Sequence, residues 1–230
     1  WQWHYEESSG RLYVKLRQNP GILATEVAER EGVVIAGASN IEIRDLAVAC
    51  AADGVVLNGA NGILLENLLI RRTAYSGIRA VGSSFNNAVI GCTITDWNGG
   101  QPRARGVDGA AEPGYGILVR GSEDGRALNW IIEKNNLTLS SGMAGGNTAA
   151  ILFDERSHAL LVSDNRIEGR AGMQLNGILI QRPQGEQAML VRGNEIRNCT
   201  GSGIRLEALD AFGFSGGVTV ERNRVFESSG

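Results

Sequence analysis

Four short segments of this 230-residue chain end on side chains able to do chemistry. GILVR, AILFD, GILIQ and GIRLE place Arg120, Asp154, Gln181 and Glu207 at the same fifth position, and Arg79 in GIRAV and Arg205 in GIRLE occupy the third. If each segment is a strand with its isoleucine pointing inward, the third and fifth residues share the outer face, because successive side chains alternate. Stacked strands would then put Arg120, Asp154, Gln181 and Glu207 in one column, with Arg79 and Arg205 in the neighbouring one. Asp154 and Glu207 would stand two strands apart, about 9 to 10 Å at ~4.8 Å per strand. That is near the ~6.5 to 9.5 Å between the acid and the base of inverting glycoside hydrolases. The plainer reading of the same column is a solvated sheet face on which Asp and Arg pair across strands.

Two further features lie close to this column in sequence. The insertion TDWNGGQPRARGVDGAAEPGYG enters just before Arg120. An insertion in a repetitive chain leaves the stack as a loop, and such loops gather on a binding face. Its Trp97 and Tyr115 are candidates for stacking on sugar rings, and its Arg103, Arg105, Asp108 and Glu112 for polar contacts; a solvated loop that merely tolerates insertion is the bland alternative. His158 follows Asp154 and Arg156 in FDERSH, where a carboxylate neighbour would suit a general acid or base, although a lone His is more often a surface turn residue. Trp130 in NWIIEKN alternates with Ile132 and belongs to the core.

What must position these residues is a repeat. The Gly-Ile-x-Leu type of segment begins near residues 32, 54, 77, 116, 150, 177 and 203, and a second signature, apolar-x-x-Asn-x-apolar, recurs at Asn135, Asn165, Asn194 and Asn223. Leu46, Leu68 and Cys92 take the Asn place in the earlier copies, at steps of 22, 24, 43, 30, 29 and 29 residues along the series. Each segment alternates over only four to six residues, which is strand and not helix periodicity, with Gly, Asn and Ser turns between and no room for crossover helices. Short strands repeating at this interval stack as an all-β solenoid, each coil burying its apolar face on the next. Residues 1 to 31 differ: strand-like runs flank a Ser-Ser-Gly turn, which predicts a hairpin that caps or leads into the first coil.

Composition narrows the function. A formal charge of -3 from 22 basic and 25 acidic residues gives no footprint for nucleic acid, and no run of about 20 apolar residues spans a bilayer. The three cysteines Cys50, Cys92 and Cys199 lack metal-ligand spacing and read as small apolar packing residues. The chain starts at Trp1 without a signal-like segment and stops just after a repeat element, which reads as a piece of a longer protein.

These residues carry a resemblance. From about Gly32 onward the chain resembles the right-handed parallel β-helix proteins typified by pectate lyases. The resemblance implies a single-stranded solenoid of about seven coils over residues 32–230, with the insertion at 97–115 as a loop. VSDNRI, VRGNEI and VERNRV would supply the turn between second and third strands, stacking Asn135, Asn165, Asn194 and Asn223 as an internal ladder; stacked amides about 4.8 Å apart satisfy one another's donors and acceptors. It also implies a secreted or periplasmic protein acting on a polysaccharide or oligosaccharide, with a groove along the first strand of each coil. Asp154 and Glu207 would be the acid and base of a hydrolase; Arg120 or Arg205 would be the base of a lyase. Arg79, Gln181, Arg205, His158, Trp97 and Tyr115 would bind substrate. The family's calcium-dependent members cluster several Asp and Glu, whereas Asp154 and Glu207 are too sparse for such a site, so no metal or other cofactor is expected. The Asn-Thr-Asp, Asp-Asp, Gly-His-Gly and Asp-Pro-His-Asp motifs of related enzymes do not occur. The alternative is therefore a non-catalytic carbohydrate-binding or surface-display module.

Overall fold

The computed structural model describes residues 2–6, 11–15, 30–98, 103–105, 110–122, 125–139, 148–170, 175–209 and 213–226. Three parallel sheets run side by side along the chain, and no helix occurs among the described residues. The first sheet stacks Val33–Ala36, Val55–Asn58, Ile78–Val81, Ile117–Arg120, Ala149–Asp154, Asn176–Gln181 and Ile204–Glu207 in sequence order. The second runs from Glu42–Arg44 to Val218–Glu221, and the third from Ala47–Ala49 to Arg224–Phe226. Every coil thus contributes one strand to each sheet, which is a parallel β-helix of seven coils. Gln2–Glu6 pairs antiparallel with Arg11–Lys15, and Arg103–Arg105 with Ala110–Glu112 within the insertion.

The register explains both sequence signatures. Val55, Ile78, Ile117, Ile151 and Ile178 lie over one another, as do Leu57, Ala80, Val119, Phe153 and Ile180, and all are fully buried in one continuous core. Each Val, Leu, Ile or Phe side chain among them contributes about 1.5 to 3 kcal/mol when removed from water. Six of the seven coils open on a glycine and the fifth on Ala150, and close approach accounts for the glycine at Gly54 and Gly77. A Cβ on Gly54 would lie 2.5 Å from the carbonyl oxygen of Gly77 and from Ile70 Cγ2, and one on Gly77 would lie 2.7 Å from the carbonyl of Gly116. A side chain there would push one coil off the next.

The second signature marks the bend between the second and third sheets. Asp45, Asn67, Gly91, Lys134, Asp164, Gly193 and Arg222 all adopt φ between 54° and 67°. Each immediately precedes a member of the Leu46, Leu68, Cys92, Asn135, Asn165, Asn194, Asn223 series. One left-handed residue between two strands turns the chain sharply and aims the next side chain inward. Four asparagines then join hands along the axis. Asn165 donates from Nδ2 to Oδ1 of Asn194 at 2.9 Å and to the carbonyl of Ile132 at 2.9 Å. Its own Oδ1 accepts from both the backbone N–H and Nδ2 of Asn135, each at 3.0 Å. Asn194 repeats the pattern on Asn223, and the backbone N–H of Cys92 donates to Asn135 Oδ1. Leu68 and Cys92 continue the column as buried apolar groups, whereas Leu46, in the first coil, is 39% exposed.

Asn165→Ala and Asn194→Ala are each expected to cost about 1 to 3 kcal/mol, because every deletion strands buried donors and acceptors on both neighbours. Their double variant is expected to cost less than the sum, since they share one bond. Urea unfolding midpoints check both; an unmoved midpoint in either single variant would refute the ladder's energetic role.

Candidate functional site

The strand register assembles the expected column. Arg120 lies beside Asp154, and Gln181 beside Glu207, with Phe153 over Ile180 placing Gln181 next to Asp154. Asp154 and Glu207 are therefore two strands apart. Arg79, Leu118, Leu152, Leu179 and Arg205 form the adjoining column.

Local chemistry in the column differs from a free acid and base. Asp154 has no exposed surface, and two guanidiniums enclose it. Arg120 donates from Nε to Oδ2 at 2.9 Å, and its terminal nitrogen sits 2.9 Å from the same oxygen. Arg182, from the next coil, donates to Oδ1 at 2.8 Å and to Oδ2 at 2.9 Å. The backbone N–H of Glu155 adds a bond to Oδ1 at 2.9 Å, and Glu155 itself pairs with Arg182 at 2.8 Å. Both carboxylate oxygens are thus occupied, and the anion ties three successive coils together. Glu207 pairs with Arg205 on its own strand and keeps 31% of its side chain exposed. Arg79 makes a smaller cluster of the same kind: it donates to the buried Asp53 at 2.7 Å and lies 3.7 Å from Glu31.

Arg182 was not among the residues selected from sequence. It holds φ 49°, a left-handed conformation that carries it around the corner after the strand and returns its side chain to Asp154. An arginine in that conformation has no sequence signal. Asp53 and Glu31 were missed because they lie in the turn before a strand, outside the alternating positions.

The outer face is not an open groove along its whole length. Leu118, Leu152 and Leu179 are at most 1% exposed and pack with Tyr115 and Ala149 in a second apolar cluster outside the barrel. The signal was present: Ala149–Asp154 and Asn176–Gln181 are near-continuous apolar runs, the pattern of strands covered on both faces. The expectation that Trp97 and Tyr115 offer rings to sugars fails on burial. Trp97 is fully buried in the main core and Tyr115 is 6% exposed in the outer cluster, so neither presents a face to solvent. Trp130 is a core residue, as its alternation implied, and donates to Ser84 Oγ at 3.3 Å. The side chains of Arg103, Arg105, Asp108 and Glu112 lie outside the described residues.

Around the corner from Asp154, His158 is the second residue of the second-sheet strand Ser157–Ser163. It is not a surface turn residue: only 5% of it is exposed, and neither ring nitrogen has a hydrogen-bond partner among the described residues. Burial, and secondarily the charge of Arg126, hold its pKa below the ordinary 6.5. His158 lines a cleft of about 320 Å³ with Arg126, Gln184, Gly185, Glu186, Gln187 and Gly213.

Among the described residues, no three His, Cys, Asp or Glu side chains gather in one place, and no helix is long and apolar enough to cross a membrane. Cys92 and Cys199 are buried free thiols whose pKa values burial pushes up to about 11 and about 12; Cys50 is a partly exposed free thiol.

A family described as right handed beta helix region matches residues 31–230. The chain belongs to the right-handed β-helix family. No curated protein and no solved structure matches it. Within this β-helix, the corner between the first and second sheets therefore collects the charged column, Arg182 and the His158 cleft.

Two outcomes follow from these contacts. Asp154→Ala leaves Arg120 and Arg182 facing each other without their shared anion, and is expected to destabilise the β-helix by about 3 to 5 kcal/mol in urea melts. A change below 1 kcal/mol would show that the clamp does not hold the coils. For His158, the folded pKa lies below the unfolded one, so the unfolded chain binds the proton first as pH falls. Stability is then fully present above 6.5 and declines through the window beneath it. The melting temperature is expected to fall as the pH is lowered below about 6.5, and His158→Gln to remove much of that fall, with His4 common to both proteins.

Proposed function

We propose that this β-helix is a carbohydrate-binding module that holds a polysaccharide or oligosaccharide along the corner between its first and second sheets. The observation that carries this reading is the occupancy of Asp154. A carboxylate gripped through both oxygens by Arg120 and Arg182 is committed to joining coils, and a general acid needs a proton on one of those oxygens. Without Asp154, the column retains a single partly exposed carboxylate, Glu207, and that one pairs with Arg205. Polar groups suited to sugar hydroxyls remain on the same edge: Gln181, the outer parts of Arg182 and Arg205, and Glu207. Rigid strands position them, so little conformational entropy is lost on binding. Fold-level analogy with polysaccharide-active β-helices supports the ligand class and a secreted or periplasmic setting.

The test is to run the protein in native gels containing each member of a polysaccharide panel, and to assay the same mixtures for reducing ends and unsaturated products. The expected result is retardation by at least one polysaccharide, weakened about tenfold by Arg205→Ala combined with Gln181→Ala, with no product of either kind. Product that disappears in Glu207→Gln or Asp154→Asn, in protein that is still folded, would overturn the binding-only reading in favour of a glycoside hydrolase or polysaccharide lyase.

A further inference from the structure

The outer face of the second sheet carries a pattern that the glycan edge does not use. Strand register stacks Leu64, Ala88, Ile131, Leu161 and Leu190 in one column, with Glu42 at one end and Thr219 at the other. Their chain neighbours Leu65, Val89, Ile132, Val162 and Val191 fill the core, so alternation sends these five outward. Ile131, in the fourth coil, is 37% exposed, and the other four are half-buried between their lateral neighbours. Five apolar rungs at ~4.8 Å each make a stripe about 19 Å long. An outward apolar stripe edged by charge marks a surface that meets another molecule.

The column beside it points to the partner. Arg44 and Glu66 occupy its first two coils, Ile90, Glu133 and Ser163 the middle three, and Arg192 and Glu221 the last two. A two-fold axis through Ile131, along its strand direction, turns a second copy over and sets the two second sheets face to face. Each column then lies opposite itself with the coil order reversed. Arg44 meets Glu221 of the second copy, Glu66 meets Arg192, Leu64 meets Leu190, Ala88 meets Leu161, and Ile131 meets its own image. Within one chain Arg44 already pairs with Glu66, and Arg192 lies beside Glu221, so assembly joins two exposed ion pairs into a four-charge network at each end. The register is selective. Sliding the copies by one coil sets Arg44 against Arg192 in one direction and Glu66 against Glu221 in the other, like against like. Glu133 meets its own image near the axis, and Lys134 Nζ supplies the countercharge 3.1 Å from its Oε1. Face-to-face sheets pack about 10 Å apart, a gap that Leu and Ile fill from both sides and an Arg–Glu pair spans.

We propose that the outer face of the second sheet is an isologous, antiparallel dimer interface occupied by a second copy of this chain, with Ile131 at the two-fold axis. The interface uses none of Gln181, Arg182, Arg205 and Glu207, and it stands whether or not those residues hold a glycan.

The test is sedimentation equilibrium of the full chain from about 1 to 300 μM, at low and high salt. A reversible monomer–dimer equilibrium is expected, weaker at high salt. Ile131→Asp sets two carboxylates against each other at the axis and is expected to weaken the dimer at least about tenfold, with an unchanged circular-dichroism spectrum. Glu221→Arg makes both symmetry-related end contacts repulsive and is expected to weaken it about tenfold, and Arg44→Glu added to Glu221→Arg to bring the affinity back to within about threefold of the starting protein. Should Ile131→Asp misfold, the exposed charge pair decides alone. A monomer at every concentration would overturn the proposal, as would open-ended oligomers, which stacking of coil ends would produce. So would a dimer indifferent to Ile131→Asp and Glu221→Arg, or a double variant no tighter than Glu221→Arg.

Discussion

The whole molecule depends on holding one coil in register above another. Parallel strands slip easily where nothing but backbone pairs them, and a slip by one residue would exchange the buried and exposed faces of a strand. The asparagine ladder removes that freedom. Oδ1 of Asn165, Asn194 and Asn223 each accepts two bonds from the rung on one side, and Nδ2 of Asn135, Asn165 and Asn194 each reaches both the opposite rung and a main-chain carbonyl, so a displaced rung loses several bonds at once. Left-handed residues before each rung make the bend that delivers the amide to the interior. The apolar columns of the first sheet, the opening glycines and the outward residues all inherit that register.

Charge serves the same end on the outside. Asp154 is placed by the register at the fifth position of its strand, one rung from Arg120, while Arg182 comes back from the following corner. An isolated buried carboxylate is very unfavourable, and two bidentate or near-bidentate guanidiniums are the geometry that offsets its desolvation. The same geometry removes the lone pairs that acid–base chemistry needs. Thus the residue with the strongest catalytic appearance in sequence is a fastening between coils, and the candidate binding edge lies beside it.

His158 is the contrasting case. It sits four residues beyond Asp154, at the wall of a cleft, with its ring nitrogens buried and Gly185 of the next coil packed so closely against the ring that a side chain there would collide with it. Arg126 and Glu186 bring opposite charges to that cleft, whereas the charged column offers mainly guanidiniums on its partly exposed side. A single corner of the β-helix therefore presents two chemically different surfaces.

Sequence alone determined the architecture. Spacing of Gly-Ile-x-Leu and of the asparagines defines coil length, strand order and the columns at Arg120, Asp154, Gln181 and Glu207, because a solenoid maps a linear repeat directly onto an axial one. It also determined Trp130 as core, since clean alternation there has one meaning. The tertiary structure decided what the columns do. Burial of Leu118, Leu152 and Leu179, of Trp97 in the core and of Tyr115 beside the outer leucines, depends on what covers each side chain from elsewhere in the fold, a quantity no local pattern contains. The capture of Asp154 by Arg182 depends on a left-handed corner that an arginine does not announce. The burial of the His158 ring depends in part on a glycine 27 residues later in the sequence, brought over it only when the coils stack.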